Sequence, residues 1–542
     1  MVTSVPVDPK PIPASAGPKV ERRGARGANA APQAPPQAST VAWLLAVVAL
    51  SCALRLWIFN GLHGHDDWMY LFHIRNFLNG STQDLLSSLW GLRWGVWLPI
   101  AILFKLFGVH YWLAFAPGFI MGLASIPLAY GIAFRISRET RVARWATLAL
   151  AINPIDWFVS TTIRGDIEMS CYGGLVVLGL VLIETTPPSK SVRRVLLAGA
   201  TGIAWGLGAL NKEWAYVYAW GFLTVILWLC LRERRIPWVY AWVFLGFLAV
   251  LAADGFFLYL TTGVFQQRLQ QSIGWFERAR LTGGYANDLS LSYGYLPSLF
   301  LNLSNNLSAN QRFANGYPIF GWYFYLFLGA LGWGIWQHLW GRRSAWSSLL
   351  FFVIGTLLWI EFGSMSTSIY IPYHKEPRYL TILSVPIACL IGWLLDFMWQ
   401  RLRPRGRALL AGALLALAGS IGFVLHSEHL IYSDGRDFLP ELTLWLKAHP
   451  ETRMWATGSI QQDLDLRFGY RFADPAHQDR GMPRYGAIQE VIFLDQAKPG
   501  DLILITPMCI NILESRYTPE KWERVAEFAG PRSKATLFRM SQ

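Results

Sequence analysis

Charged residues are scarce in this sequence. Asp, Glu, Lys and Arg together make up 15% of the 542 residues, whereas 53% are hydrophobic and 27 are Trp. A soluble chain of this length needs a more polar surface than such a composition supplies. The scarcity of charge therefore excludes an ordinary soluble enzyme and indicates a polytopic membrane protein.

Cysteine is scarcer still, with five in the whole chain. Most of them lie in or beside apolar segments, and only Cys509 lies in the polar C-terminal region, so no disulfide can form within that region. The same region carries no phosphate-binding loop, no metal-ligand cluster and no nucleophile elbow. Any chemistry must therefore come from the apolar part of the chain.

Acidic residues are fewer than basic ones, which gives a formal net charge of +13. The excess lies mostly in the N-terminal tail and in short loops between apolar segments, so membrane topology explains it without a nucleic-acid partner. Residues 1–38 are rich in Pro, Ala and Gly and predict a disordered, cytoplasmic tail. The expected partners include membrane lipids and exclude nucleic acid.

Residues 39–426 contain apolar segments long enough to cross a bilayer of ~30 Å. In a count of about eleven, every basic loop cluster falls on the side of the N-terminal tail, as the positive-inside bias requires. The odd count places residues 427–542 outside the cytoplasm. The predicted spans are 40–59, 111–134, 143–161, 168–184, 195–211, 214–231, 237–261, 318–340, 346–362, 379–398 and 408–426.

Shorter patterns complete the predicted architecture. Stretches at 68–78 and 96–107 predict interfacial helices in the first external loop. In the C-terminal region, apolar runs at 454–457 and 502–506 alternate with helix-like stretches at 438–447 and 519–528, which predicts a small external α/β domain. The fold class is therefore a mainly α membrane bundle with a small α/β domain.

One acid pair lies just after the first predicted span, in the segment Gly64–Tyr70. Carboxylates gain little from a bilayer surface, so Asp66 and Asp67 predict a catalytic base or a metal- or phosphate-facing site. The alternative is a solvated loop leading into a helix whose first acidic residues interact favourably with the helix dipole.

Other charged motifs fall on the same predicted face. Arg164–Glu168 contains Asp166, Asn211–Trp214 contains Lys212, and His374–Tyr379 contains a run of charged residues. Each motif alone has a structural explanation, such as a helix cap or an interfacial pair. Together they supply what transfer from a phosphate-activated donor requires, namely a base for the acceptor hydroxyl and cations for the leaving phosphate.

The long external loop at about 262–317 also carries basic residues, including Arg268. Basic residues on the outer face run against the topological bias, so an anionic lipid is one candidate reason for them. Simple solvation of an amphipathic surface helix is the other.

These motifs resemble a known family. His65–Tyr70 resembles the first luminal loop of GT-C glycosyltransferases, integral-membrane enzymes that use polyprenyl-phosphate sugars, and the Asp166 segment resembles their second acidic motif. Asn211–Glu213 and Arg378–Tyr379 resemble the protein mannosyltransferase and aminoarabinose transferase branch. His374–Glu376 resembles the histidine–lysine–glutamate motif of the dolichol-phosphate-mannose mannosyltransferases. The chain mixes features of both branches.

The resemblance implies an inverting transfer of a sugar, mannose or similar, from a polyprenyl-phosphate donor to a lipid, glycan or protein acceptor. It implies a bacterial inner membrane protein whose active site faces the periplasm. A divalent metal such as Mg or Mn could be held by Asp66 and Asp166. The implied site residues are Asp66 and Asp67 for catalysis, Lys212, His374, Lys375 and Arg378 for the donor phosphate, and Asp166 and Glu376 for the acceptor or a metal.

Two other classes of function compete with this interpretation. A transporter should show internal repeats and broken spans in matching positions, and the sequence shows no clear repeat. A scaffold with an external binding domain would explain residues 427–542 but not the charged span ends. A single cavity that brings Asp66, Asp166, Lys212 and His374 together would favour the enzyme over both.

Overall fold

The computed structural model describes most of the membrane region and parts of the C-terminal region. The N-terminal tail to residue 36, the loop 282–316, His374–Glu376 and Cys509 lie outside the described residues. The described residues are 37–59, 61–62, 64–81, 86, 88–234, 236–281, 317–340, 345–366, 371, 377–432, 438–449, 454–455, 460, 463–464, 466–467, 500, 502–505, 522–529 and 534–540.

Helices dominate the described chain. Three short 3-10 turns, Tyr111–Ala114, Glu213–Val217 and Pro377–Leu383, connect some of them. The α-helices are α1 (Gln37–Trp57), α2 (Gly64–Leu78), α3 (Leu89–Leu92), α4 (Trp94–Phe107), α5 (Ala116–Ser137), α6 (Thr140–Ala151), α7 (Pro154–Val159), α8 (Asp166–Thr185), α9 (Ser191–Asn211), α10 (Tyr218–Glu233), α11 (Val239–Thr262), α12 (Gln267–Leu281), α13 (Tyr317–Leu339), α14 (Ala345–Phe362), α15 (Ser384–Arg401), α16 (Pro404–Tyr432) and α17 (Leu439–Ala448).

Seven helical segments of the described chain are long and apolar enough to cross a membrane. Three further predicted spans fall on α9, α13 and α16, which have 21, 23 and 29 residues. The expected fold class, a mainly α polytopic membrane protein with a small C-terminal sheet, is confirmed. The seven segments are Ala38–Trp57, Ala116–Ser137, Asp166–Thr185, Glu213–Glu233, Val239–Thr262, Ala345–Phe362 and Arg378–Arg401.

The span predicted at 143–161 is divided in two. Helix α6 ends at Ala151, and α7 begins at Pro154 after a break at Asn153. Proline disfavours the helical conformation in the residue before it, and the Asn153 side chain accepts a hydrogen bond from the amide of Ile155 at 3.1 Å, which caps the new helix. The short α7 therefore lies inside the bundle and carries a buried carboxylate, Asp156.

Helices α9 and α11 approach each other closely. A Cβ added to Gly202 on α9 would lie 2.0 Å from the carbonyl oxygen of Val243 on α11, and one added to Gly246 would lie 2.4 Å from the carbonyl of Gly199. Small residues permit this backbone contact between membrane helices. The glycines therefore let α9 and α11 pack backbone to backbone, and α9 ends directly before Lys212.

The helices predicted at 68–78 and 96–107 are both present, as α2 and α4. Their apolar faces form a separate core in which Tyr70, Leu71 and Ile74 pack with Val96 and Trp97. This core holds the first turn of α2, which contains the acid pair, against the bundle.

The described residues of the C-terminal region form a four-stranded sheet of order β1-β2-β4-β3. The strands are β1 (Met454–Trp455), β2 (Leu502–Ile505), β3 (Trp522–Ala529) and β4 (Lys534–Met540), and β1–β2 is the parallel pair. The helix predicted at 519–528 is wrong, because β3 pairs antiparallel with β4. An irregularity between Arg524 and Ala526 breaks the two-residue alternation that normally reveals a strand.

The C-terminal region touches the first-loop helices. Leu466 is buried in the α2–α4 core, and the guanidinium of Arg467 lies 4.5 Å from the centre of the Tyr111 ring. Helix α16 continues to Tyr432, past the predicted boundary at 426. The sheet domain and the acid pair therefore lie on the same end of the molecule.

Because the C-terminal sheet and the acid pair lie at the same end, the location of the C-terminus tests on which side of the membrane the acid pair lies. We expect a phosphatase that is active only in the periplasm, fused after Gln542, to be active. The same fusion after Arg138, in a predicted cytoplasmic loop, serves as the control and should be silent. Activity of a cytoplasm-only reporter at Gln542 would contradict the orientation.

Candidate active site

Asp66 lies in the first turn of α2, where the helix dipole favours an acid. Its Oδ1 accepts a hydrogen bond from the indole nitrogen of Trp90 at 3.0 Å, and its Oδ2 accepts one from Nη1 of Arg378 at 3.0 Å. Burial alone would raise the pKa of Asp66, but the charges of Arg378 and Arg164 outweigh it and hold that pKa well below its ordinary value. These partners favour the ionised form of Asp66, and each of its carboxylate oxygens accepts a hydrogen bond.

The second acid of the pair has different partners. Asp67 is fully buried, and its Oδ1 lies 3.6 Å from Nε of Arg164, which precedes α8. The two neighbouring carboxylates thus pair with different cations and tie α2 to different segments. The catalytic role that the sequence suggests for Asp67 stays a prediction.

Asp166 is the first residue of α8 and is almost completely buried. Its Oδ1 accepts from the ammonium of Lys212, and its Oδ2 lies 3.9 Å from Nη1 of Arg378. Arg378 is therefore shared between Asp66 and Asp166. These four residues, Asp66, Asp166, Lys212 and Arg378, are called the acid–cation cluster below.

Both cations of the cluster lie against one aromatic ring. The Tyr379 ring centre is 4.9 Å from the Lys212 ammonium and 5.0 Å from the Arg378 guanidinium. The Trp214 ring stacks on the Tyr379 ring with the ring centres 4.1 Å apart. Cations favour the negative face of an aromatic ring, so this pair of rings supports both side chains. Burial lowers the pKa of Lys212, and the neighbouring Asp166 partly offsets that effect.

The cluster draws on segments that are far apart in the chain. Asp66 and Arg378 are separated by 312 positions, and Lys212 and Asp166 by 46. Local structure places each of them at an element end: the first turn of α2, the start of α8, the extended residue after α9 and the 3-10 turn Pro377–Leu383. Of the four residues that the sequence expects in one cavity, the structure brings together Asp66, Asp166 and Lys212. His374, like Lys375 and Glu376, lies outside the described residues.

A second buried ion pair adjoins the cluster, and sequence reasoning did not assign it to the site. Nε of Arg93 donates to Oε2 of Glu213 at 2.9 Å, and its Nη1 donates to the Tyr70 hydroxyl at 3.3 Å. Because Glu213 directly follows Lys212, this pair fixes the backbone that carries Lys212. The signal in the sequence was an arginine between two tryptophans, Trp90 and Trp94, in the first external loop.

Arg268 has a partner within the chain. Its Nε and Nη2 donate to the two carboxylate oxygens of Asp254 at 2.8 and 3.0 Å, and Trp94 donates to the same carboxylate at 3.0 Å. A buried bidentate pair, rather than a lipid headgroup or simple solvation, therefore accounts for this outward arginine. The pair joins α12 to α11, and Trp275 on α12 meets the Trp90 ring on α3 edge-on at 5.9 Å.

The arrangement of the acids bears on the suggested metal. Among the residues that the structure describes, no group of three or more His, Cys, Asp and Glu side chains could hold a metal ion. Nη1 of Arg378 lies 3.0 Å from an oxygen of Asp66 and 3.9 Å from an oxygen of Asp166, so one cation already pairs with both acids. This donor set fits a guanidinium better than Mg²⁺ or Mn²⁺, which prefer several oxygen ligands.

Comparison with known proteins identifies the fold. No family model and no curated protein sequence matches the chain. Among solved structures, ArnT from Cupriavidus metallidurans bound to undecaprenyl phosphate is 14% identical with a TM-score of 0.54, covering 92% of this chain and 98% of that one. The apo oligosaccharyltransferase of Archaeoglobus fulgidus is 12% identical with a TM-score of 0.53, covering 87% and 70%. Both are GT-C membrane glycosyltransferases, so the GT-C resemblance is confirmed at the level of the fold.

Proposed function

We propose that the chain is an inverting glycosyltransferase of the external membrane face, with Asp66 as the general base. The donor is a polyprenyl-phosphate sugar, mannose or similar, and the acceptor is a hydroxyl of a lipid, glycan or protein. The observation that carries the proposal is the convergence of two acids and two cations from four distant segments in the acid–cation cluster. Structures of the same fold have been solved with undecaprenyl phosphate and with dolichol-phosphate, which supports a lipid-phosphate donor.

The charge balance of the cluster suits an incoming phosphate. The two carboxylates and two cations neutralise each other in the ion pairs Lys212–Asp166 and Arg378–Asp66. An incoming phosphate can replace a carboxylate as the partner of either cation. A phosphate that enters from the lipid brings its charge into a low-dielectric setting, where a paired cation is worth far more than in water. Arg378 adds a planar fork that matches phosphate oxygens, and Lys212 adds a second positive charge.

Donor binding would also activate the base. Arg378 holds Oδ2 of Asp66, and a carboxylate with such a depressed pKa is a weak base. When the phosphate draws Arg378 away, the pKa of Asp66 rises towards its ordinary value and Oδ2 becomes accessible. Trp90 still holds Oδ1 and keeps the carboxylate oriented.

The reaction then follows as a single displacement. The acceptor oxygen attacks the anomeric carbon from the face opposite the phosphate, and its proton passes to Asp66. The bond between the anomeric carbon and the phosphate oxygen breaks, and the bonding electrons leave with the polyprenyl phosphate. Lys212 and Arg378 stabilise the charge on that leaving group. One displacement inverts the anomeric configuration.

Direct binding of the lipid tests the donor class. We expect the purified protein to retain undecaprenyl phosphate in native mass spectrometry, and Lys212→Ala to bind it about 10- to 100-fold more weakly because a charged hydrogen bond is lost. Lys105→Ala, at an exposed position of α4, is the matched control and should bind as the wild type does. A folded wild-type protein that binds neither undecaprenyl phosphate nor dolichyl phosphate would overturn the donor assignment.

A further inference from the structure

Asp156 is a fully buried carboxylate that the proposed chemistry does not use. It lies on the short helix α7 and accepts hydrogen bonds from three side chains. Ser384 Oγ donates to Oδ1 at 2.6 Å, Asn153 Nδ2 donates to Oδ1 at 3.3 Å, and Ser170 Oγ donates to Oδ2 at 3.3 Å. Burying a carboxylate costs free energy unless hydrogen-bond donors compensate for the lost water. A structural or functional role for Asp156 is therefore expected.

Two of these donors lead directly to the acid–cation cluster. Ser170 lies on α8, four residues and about one helical turn after Asp166. Ser384 is the first residue of α15, immediately after the 3-10 turn that carries Arg378. Oδ2 of Asp156 therefore holds α8, which carries Asp166. Oδ1 holds the start of α15, which follows the turn that carries Arg378.

The helix that carries Asp156 is itself fixed at both ends. Asn153 caps its start and also donates to Ser384 Oγ at 3.0 Å. At its end, Nε of the fully buried Arg55 on α1 donates to Ser160 Oγ at 2.9 Å. Because α7 is held at both ends in a close-packed interior, a change at Asp156 should shift the segments that carry Ser170 and Ser384.

We propose that Asp156 is a positioning residue that sets the distance between Asp166 and Arg378. This inference rests on the proposed function. The relevant contact is the 3.9 Å between Asp166 Oδ2 and Arg378 Nη1, which is too long for a hydrogen bond and short enough for an ion pair. A shorter distance would bind Arg378 to Asp166, and a longer one would leave it wholly on Asp66. Either change would hinder the transfer of Arg378 to the donor phosphate.

The test compares Asp156→Ala with Glu184→Ala. Glu184 is a matched control because it is also a shielded carboxylate held by hydroxyls, from Tyr240 at 2.7 Å and Ser348 at 3.5 Å, on the same helix as Asp166. It lies 18 residues further along α8 (184 − 166), or about 27 Å away. We expect Asp156→Ala to lower kcat by about 10²-fold, as small misplacements of reacting groups do, and Glu184→Ala to leave kcat unchanged.

A double-mutant cycle separates positioning from general loss of structure. Asp156→Ala combined with Arg378→Lys should be clearly non-additive in undecaprenyl phosphate binding, whereas Glu184→Ala combined with Arg378→Lys should be additive. If Asp156→Ala does not fold, Ser384→Ala removes one arm of the support and takes its place, with the same expected coupling to Arg378→Lys.

The outcomes distinguish this inference from the function on which it rests. A wild-type protein that binds and transfers from the lipid-phosphate sugar, together with equal kcat values and additive cycles for the two carboxylate variants, would overturn the role of Asp156 alone. A folded wild-type protein that binds no polyprenyl phosphate would instead overturn the proposed function. Loss of kcat with Asp156→Ala but not with Glu184→Ala, together with a non-additive cycle, supports the inference.

Discussion

Asp66→Asn is expected to lower kcat by about 10²–10⁴-fold, the usual contribution of a positioned general base. Asparagine keeps the size of the side chain, and its carbonyl oxygen can still accept the indole N–H of Trp90. It cannot take the proton of the acceptor hydroxyl. The variant therefore removes the chemical function of Asp66 while preserving most of its contacts.

The neighbouring acid supplies the comparison. Asp67 pairs with Arg164 rather than with the acid–cation cluster, so Asp67→Asn should weaken the attachment of α2 and affect turnover less than Asp66→Asn. If Asp67 positions the acceptor, its variant should raise the KM for the acceptor at a nearly unchanged kcat. Transfer from a labelled lipid-phosphate sugar, with size-exclusion profiles as the folding control, measures both effects. Near-normal turnover of a folded Asp66→Asn protein would show that another group is the base.

The residues of the candidate site stand out in the sequence because charge is so rare in this chain. Ionisable groups are costly at membrane depth, so each charged motif at the end of an apolar segment stands out against its surroundings. Asp66, Asp166, Lys212 and Arg378 were all found in this way, without any knowledge of how the helices pack. Counting the predicted spans leads to the expectation that these motifs share one side of the membrane.

The pairings within the site could not be predicted, because they depend on tertiary packing. Nothing local to Asp66 indicates that its ion-pair partner is Arg378, or that Arg164 lies within 3.6 Å of Asp67. Arg93 and Asp156 were missed for a related reason. Each acts through side chains from other elements, and its own sequence neighbourhood shows only an arginine near tryptophans or an acid in an apolar run.

Two errors of secondary structure also have physical causes. The span at 143–161 was drawn as continuous because its hydrophobicity is continuous, yet the pair Asn153–Pro154 interrupts the helix and turns Asp156 into the bundle. The strand β3 was predicted as a helix because the irregularity in its pairing with β4 disturbs the alternation of buried and exposed residues. In both regions a local feature, the Asn153–Pro154 break or the irregular β3–β4 pairing, makes the structure differ from what the average hydrophobic pattern predicts.

Arg378→Lys is expected to lower kcat by about 10²–10³-fold, nearly as much as Arg378→Ala, because the cation supports the leaving phosphate. The guanidinium uses separate nitrogens, with Nη1 on Asp66 at 3.0 Å and Nη2 on the Tyr379 hydroxyl at 3.2 Å. A lysine keeps the charge but offers a single nitrogen, so it cannot keep the Tyr379 contact while it grips a phosphate. The geometry of the fork, and not charge alone, is therefore the property under test.

The competing explanation is that Arg378 extends to lipid headgroups beside Tyr379, where a lysine would serve equally well. The structure weighs against it, because only 13% of the Arg378 side chain is exposed and its guanidinium faces two carboxylates. Arg401→Lys, at the other end of α15, is a suitable control because its guanidinium lies over Phe397 and contacts no acid of the cluster. Photo-crosslinking to a polyprenyl phosphate and steady-state transfer should both be strongly reduced in Arg378→Lys and unchanged in Arg401→Lys. Wild-type crosslinking and turnover in Arg378→Lys would remove Arg378 from the phosphate site.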